Sequence, residues 1–202
     1  MNQKEIERWL RQASFLKSVP EPKGLPADFG AEVAFAGRSN AGKSSALNTI
    51  SGINQLARVS KTPGRTQHLV VFQLPGERRL IDLPGYGYAK VPPALREAWG
   101  RAITEYFETR NSLRALIIAM DIRHPLTDFD LMMLDFAGLR GLPVRILLTK
   151  ADKLGRGAGG NTLQAVRKAL SDQAERISVQ LFSATAPTGV DEARAYVAEA
   201  MA

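Results

Sequence analysis

The 202-residue chain contains no cysteine. Disulfide scaffolds, thiolate zinc sites, iron–sulfur clusters and cysteine nucleophiles are excluded at once. The two histidines, His68 and His124, are too few for a metal site built on several imidazoles. No stretch approaches the roughly 18 apolar residues of a membrane-spanning helix. Met1–Ser14 is polar and charged, unlike a secretory signal, so the expected address is the cytoplasm. There is no internal repeat and no low-complexity tract. The composition, 45% hydrophobic and 23% charged, is that of a globular domain. A chain of this length hides roughly 70% of its unfolded surface, enough for a core without staples.

One further absence is local. Between Val33 and Thr66 there is no acidic residue. The chain carries 27 basic and 20 acidic side chains, a net charge of +7. Residues 1–32 hold five of each, 33–66 hold five basic and none acidic, 67–110 hold six and five, and 111–202 hold eleven and ten. So +5 of the +7 falls in 34 consecutive residues. Such an excess points to anionic partners, nucleic acid among them.

Short apolar runs alternate with amphipathic ones. Glu32–Ala36, Leu69–Leu74, Arg78–Leu83, Arg114–Met120, Val144–Thr149 and Ile177–Phe182 read as strands. Helices are expected over Glu5–Lys17, Lys43–Ile50, Pro92–Arg110, Thr162–Ala174 and Thr188–Ala200. Another runs from a Thr127/Asp130 capping box to Leu139. Gly155–Asn161 and Pro84–Pro93 read as loops. Alternating strands and helices imply an α/β fold, with a mostly parallel sheet covered on both faces. Ligands of such sheets bind beyond the carboxyl ends of the strands, so the loops there are where chemistry is sought.

The first such loop is Gly37-Arg38-Ser39-Asn40-Ala41-Gly42-Lys43-Ser44, the pattern GxxxxGKS between a strand and a helix. Glycines let the backbone wrap so that its N–H groups face phosphate oxygens, and the helix offers its positive end to the same anion. Lys43 would reach the β- and γ-phosphates, and the Ser44 hydroxyl would ligate Mg²⁺. The second is Asp82-Leu83-Pro84-Gly85, where a strand-end carboxylate can hold Mg²⁺ and the Gly85 N–H can meet the γ-phosphate. The third is Thr149-Lys150-Ala151-Asp152. A carboxylate there would accept both N–H groups of a guanine edge and reject adenine. Phe182-Ser183-Ala184, after the last strand, would offer a backbone N–H to the guanine O6. The loop Ser60–Thr66 lies where a switch segment belongs, with Thr66 as the Mg²⁺ ligand when the γ-phosphate is present.

GRSNAGKS, TPGRT, DLPGYGYA, MDIRHPL and LLTKADKL occur in that order. With them the chain resembles the EngB family of translation-factor-class, P-loop GTPases, from about Pro26 to the C-terminus. The resemblance implies a three-layer GTPase domain at 26–202 with a mostly parallel six-stranded sheet. Residues 1–25 would be an N-terminal extension with a short helix. It further implies binding of GTP and GDP with Mg²⁺, a monomer, and a role in assembling the large ribosomal subunit, with rRNA and ribosomal proteins as partners. Normal cell division and septation would depend on it. Carried over, Gly37–Ser44 with Ser45 hold the phosphates, and Gly64, Arg65 and Thr66 join the nucleotide-binding residues. Ser44, Thr66 and Asp82 serve Mg²⁺. Thr149–Asp152 and Phe182–Ala184 hold the base. Lys43, Thr66 and Gly85 carry the catalytic roles.

Where Ras-like proteins place a water-orienting glutamine after the DxxG glycine, this chain has Tyr86. Slow intrinsic hydrolysis is therefore expected, stimulated by the ribosomal particle or by K⁺ held at Asn40. A supplied cation is worth about 10³–10⁵ in rate. Tyr86 and Tyr88 either contact RNA or a protein partner, or pack on Trp99 and Tyr106. Arg123 and Asp121 form a local pair, and His68 and His124 are structural. The other readings of the sequence are a non-catalytic GTP sensor and an ATP-using P-loop enzyme. Of the excess charge, Arg58, Lys61 and Arg65 remain for a switchable contact with RNA.

Overall fold

The computed structural model describes residues 1–57, 68–85, 93–186 and 188–202. Along the chain they form α1 (Gln3–Leu10), β1 (Ser14–Val19), β2 (Ala31–Gly37), α2 (Lys43–Ser51), β3 (Leu69–Leu74) and β4 (Arg78–Asp82). Then follow α3 (Pro93–Thr109), β5 (Leu113–Asp121), α4 (Asp128–Leu139), β6 (Val144–Thr149), α5 (Arg156–Ala169), β7 (Ile177–Leu181) and α6 (Val190–Ala200).

The strands make one sheet in the order β1-β3-β4-β2-β5-β6-β7. β2 pairs in parallel with β4 and β5, and β5, β6 and β7 continue in parallel. The β3–β4 hairpin and the β1–β3 pair are antiparallel. The inner strands are apolar on both faces because both faces are covered. Val33 and Phe35 of β2 join Ile6, Leu10, Leu47, Ile50 and Val197 in a core under α1, α2 and α6. Ala34 and Ala36, one residue out of phase, face the other way. There Leu116, Ile118 and Met120 of β5 meet Ile103, Phe107, Met133 and Val166 from α3, α4 and α5. The result is three layers. The chain crosses to one side of β2 after α2 and to the other side after α3. The carboxyl end of β2 is thus the switch point where this class of sheet binds its ligand.

Two expectations need correcting. The sheet has seven strands, not six, because the helix drawn through Lys17 ends at Leu10. Ile6 and Leu10 are buried at helical spacing, but adjacent Phe15 and Leu16 cannot both join that face. Ser14–Val19 instead takes the free edge of β3 through backbone hydrogen bonds, with a bulge between Phe15 and Lys17. Five of its six residues are exposed, so no alternation of burial announced it. The second correction is α5, which begins at Arg156, inside the stretch read as a glycine loop. Each helical glycine costs about 1 kcal/mol, and tertiary docking offsets it. Gly159 is buried there against Ile122.

At the amino ends of the strands, fully buried Glu32 is held by Arg110, whose Nε and Nη2 lie 2.9 and 2.5 Å from its two oxygens. Arg79 approaches the same carboxylate at 3.4 Å. Arg110 also donates to the Pro26 carbonyl at 2.8 Å, pinning the chain that enters β2. Arg110→Met strips Glu32 of its main partner. Breaking a buried pair costs about 3–5 kcal/mol. Denaturant unfolding should show a loss of that size, and a loss under about 1 kcal/mol would assign the pair no stabilising part.

Candidate functional site

The loop from Arg38 to Gly42 leaves β2 and enters α2 at the switch point. Asn40 and Gly42 take left-handed conformations, with φ of +62° and +89°. At residue 42 glycine meets that need without strain, and the residue packs close to Thr149. No side chain caps α2, and no acidic residue lies in its first turn, which begins at Lys43, Ser44 and Ser45. The first amide donors of a helix have no partner within it. With no side-chain cap and no acid of its own, this helix end suits an anion.

Lys43 is buried, and its ammonium pairs with the Asp82 carboxylate at the end of β4. Each charge lets the other stay buried. A nucleotide bound with a divalent cation would offer each a new partner, phosphate for Lys43 and metal for Asp82. The donor set fits such a cation. Among the described residues no cluster of three or more His, Asp or Glu forms a metal cage. One carboxylate and the Ser44 hydroxyl are oxygen ligands of the kind Mg²⁺ takes alongside water and phosphate.

Gly85 abuts the same loop, since a Cβ built on it would lie 3.6 Å from the Gly37 carbonyl oxygen and 3.8 Å from the Ser39 nitrogen. Leu83 is locked below, its N–H donating to the Phe35 carbonyl at 2.9 Å. The Pro84 carbonyl accepts from the Trp99 indole at 3.1 Å, and the Trp99 ring tilts against Phe129 at 5.9 Å. Trp99 thereby ties the DLPG turn to α3 and α4, a role the sequence reading did not give it.

The third motif is joined to the first. The Thr149 hydroxyl lies 2.5 Å from the Ala41 carbonyl and 3.0 Å from that of Met120. The Lys150 ammonium donates to the Asn40 carbonyl at 2.6 Å and pairs with Asp121 at 2.8 Å. Arg123 bonds both Asp121 oxygens, at 2.6 and 2.9 Å. The hydrogen bond from Arg123 foremost, then that from Lys150, keeps the Asp121 carboxyl well below the usual range despite its burial. The local Asp121–Arg123 pair was legible, and the cross-strand contact to Lys150 was not.

Ala151–Lys153 form a single 3₁₀ turn that presents Asp152. Its Oδ1 accepts from the Ser183 hydroxyl at 2.6 Å, and Lys153 lies 3.1 Å from Oδ2. The Ser183 bond first, then Lys153, lowers its pKa, so the carboxylate is ionised at neutral pH. Ser183 also accepts from the Ala186 N–H at 3.1 Å, bending the chain past Ala184. The Ala151 N–H donates to the Phe182 carbonyl at 3.1 Å. The side chains of Ala41, Leu83 and Phe182 are buried away in the protein interior, so these residues have only backbone to offer the site. The Ser183 hydroxyl is the element that sequence reasoning missed, having assigned this turn a backbone contact alone.

Four loops from distant parts of the chain thus meet at one end of the sheet. Arg58, Lys61, Gly64, Arg65, Thr66, Tyr86 and Tyr88 lie outside the described residues. His68 Nδ1 is 3.2 Å from the Ser18 hydroxyl, and Tyr106 is buried in the core.

Residues 32–150 match the family model described as 50S ribosome-binding GTPase. A "Probable GTP-binding protein EngB" of Xanthomonas euvesicatoria pv. vesicatoria is 57% identical over 189 residues, 93% of this chain and 91% of that one. The chain belongs to the EngB family of GTP-binding proteins. A further EngB relative, from Xylella fastidiosa, is 57% identical over 184 residues and 91% of each chain. As an EngB member the chain is a P-loop GTPase that binds guanine nucleotide. A crystal structure of a probable EngB superposes with a TM-score of 0.68 at 18% identity, covering 85% of this chain and 98% of that one. Era, solved with MgGDPNP and nucleotides 1506–1542 of 16S ribosomal RNA, gives 0.65 at 22% identity, covering 85% of this chain and 57% of Era. These two likenesses support the EngB fold alone. Among the described residues no helix is long and apolar enough to cross a membrane.

Proposed function

We propose that the chain is a guanine-nucleotide switch of the cytoplasm. It binds GTP with Mg²⁺, hydrolyses it slowly, and acts in assembly of the large ribosomal subunit, through which normal cell division and septation depend on it. The observation that supports this best is the joining of the phosphate loop to the TKAD turn by Lys150–Asn40 and Thr149–Ala41. The loop read as holding phosphates and the turn read as holding the base are there joined by two hydrogen bonds. The ribosomal part rests on the family description as a 50S ribosome-binding GTPase and on EngB resemblance.

In this reading Gly37–Ser45 hold the phosphates, with Lys43 neutralising charge that develops on the γ-phosphoryl group. Ser44, Asp82 and Thr66 serve Mg²⁺, which would supply further charge stabilisation. Gly85 reports the γ-phosphate, Gly64 and Arg65 belong to the nucleotide-binding set, and Thr149–Asp152 with Phe182–Ala184 select guanine. Arg58, Lys61 and Arg65 supply a basic contact to RNA that forms in the GTP state. Tyr86 has no amide to orient water, so an outside cation completes the site, either K⁺ at Asn40 or one from the particle.

Single-turnover phosphate release tests this. Slow release alone and a rise of about 10³-fold or more with large subunits or K⁺ are expected. Equal rates in K⁺ and Na⁺ would remove the Asn40 cation. No release under any of these conditions would replace the switch that hydrolyses with a GTP sensor that does not.

A further inference from the structure

Asp121 belongs to none of the nucleotide motifs, yet it touches the residue that joins two of them. It ends β5 directly beside Thr149 of β6 in the parallel ladder. The Ile122 N–H donates to the Thr149 carbonyl at 3.1 Å and locks that register. The Asp121 carboxylate is buried, with 8% of its side chain exposed, and lies 2.8 Å from the Lys150 ammonium.

Lys150 needs such a hold. Its side chain is a flexible four-carbon stem, and about a third of it, 31%, is exposed. Its other partner is the neutral Asn40 carbonyl at 2.6 Å. Both Lys150 and Asn40 are non-glycine residues in left-handed backbone, with φ of +59° and +62°. Such conformations persist where the surroundings over-determine them. A charge-assisted bond to a buried carboxylate is the strongest constraint on the ammonium that bridges them.

We infer that Asp121 is a positioning residue for guanine-nucleotide binding: its carboxylate holds the Lys150 ammonium against the Asn40 carbonyl and so fixes the base-reading turn to the phosphate loop. The inference rests on the nucleotide site proposed above. Arg123 completes the arrangement by bonding both carboxylate oxygens, sharing Oδ2 with Lys150. Without the carboxylate, two cations face each other where one was held between two acceptors. Lys150 is then pushed away from Asn40 as well as released.

The test is a double-mutant cycle on fluorescent GDP binding, with equilibrium affinity and dissociation rate measured for Asp121→Asn, Lys150→Ala and the pair together. Each single change should weaken binding by about 10- to 100-fold, mainly through faster dissociation. The double variant should be no worse than the weaker single one, because both remove the same bridge. In Asp121→Asn the GDP-to-XDP preference should stay as in the unaltered protein, since Asp152 reads the base. A residue that only supports the fold would give multiplying losses in the cycle, and that result overturns the inference. So does an Asp121→Asn affinity within twofold of the unaltered protein while Lys43→Ala loses binding, which leaves the nucleotide site itself standing. If Lys43→Ala also binds normally, the nucleotide site is what fails, and the inference falls with it. Should Asp121→Asn not fold, Asp121→Glu carries the test. Nucleotide release between the rates of the unaltered protein and Lys150→Ala is expected, and release as slow as that of the unaltered protein overturns the inference.

Discussion

Lys43→Ala is expected to reduce GTP affinity by about 30- to 5,000-fold, the 2–5 kcal/mol that follows loss of one partner from a buried, hydrogen-bonded charge pair. The size comes from where the lysine sits. It is 9% exposed and pairs with Asp82, itself 5% exposed, so neither charge is shared with water. Losing the ammonium also leaves a buried carboxylate unpaired in the nucleotide-free protein, which destabilises that state. Thermal unfolding without nucleotide therefore accompanies the titration, so that lost binding is read on folded protein. Lys43→Arg is no rescue, because a planar fork does not replace a compact ammonium in the space beside Asp82. An unchanged affinity for Lys43→Ala would remove this loop from phosphate binding.

Asp152→Asn should move base preference from guanine towards xanthine. The carboxylate offers two acceptors to the two N–H donors of the guanine edge. An amide replaces one acceptor with a donor, which opposes guanine and suits the xanthine carbonyl. Two groups mispaired at about 1–3 kcal/mol each predict a change of about 30- to 10⁴-fold in the ratio of GTP to XTP affinity. The Ser183 hydroxyl, 2.6 Å from Oδ1, fixes which way the group faces. Ser183→Ala should therefore weaken GTP binding without creating a taste for XTP. Competition titrations with the two triphosphates separate the outcomes, and retained GTP preference in Asp152→Asn would place base recognition elsewhere.

What was legible in the chain follows from how local each feature is. The phosphate loop is built from consecutive backbone amides, so eight adjacent residues, Gly37 to Ser44, announce it. Strands β2, β5 and β6 are continuous apolar runs because both their faces are covered. By contrast β1 is an exposed edge held by main-chain bonds to β3, and such pairing leaves little trace in residue type. The start of α5 was hidden behind three glycines, Gly157, Gly159 and Gly160, whose local preference is overruled by docking on the sheet. At the site, Asp121–Arg123 spans two residues and was visible. Asp121–Lys150 and Ser183–Asp152 depend on strand order and register, which no spacing in a single sequence reports. The excess basic charge shows both cases. Lys43 is absorbed into the site by a buried carboxylate, while Arg58, Lys61 and Arg65 keep the RNA contact proposed for them.

The claim that nucleotide state controls contact with the ribosome is tested most directly by co-sedimentation of the full chain with purified large ribosomal subunits. GDP and a non-hydrolysable GTP analogue are compared across a salt series. Binding should be tighter with the analogue and should weaken steeply as salt rises, as contacts between cationic side chains and RNA phosphates do. Equal sedimentation with either nucleotide, or none with both, would contradict it.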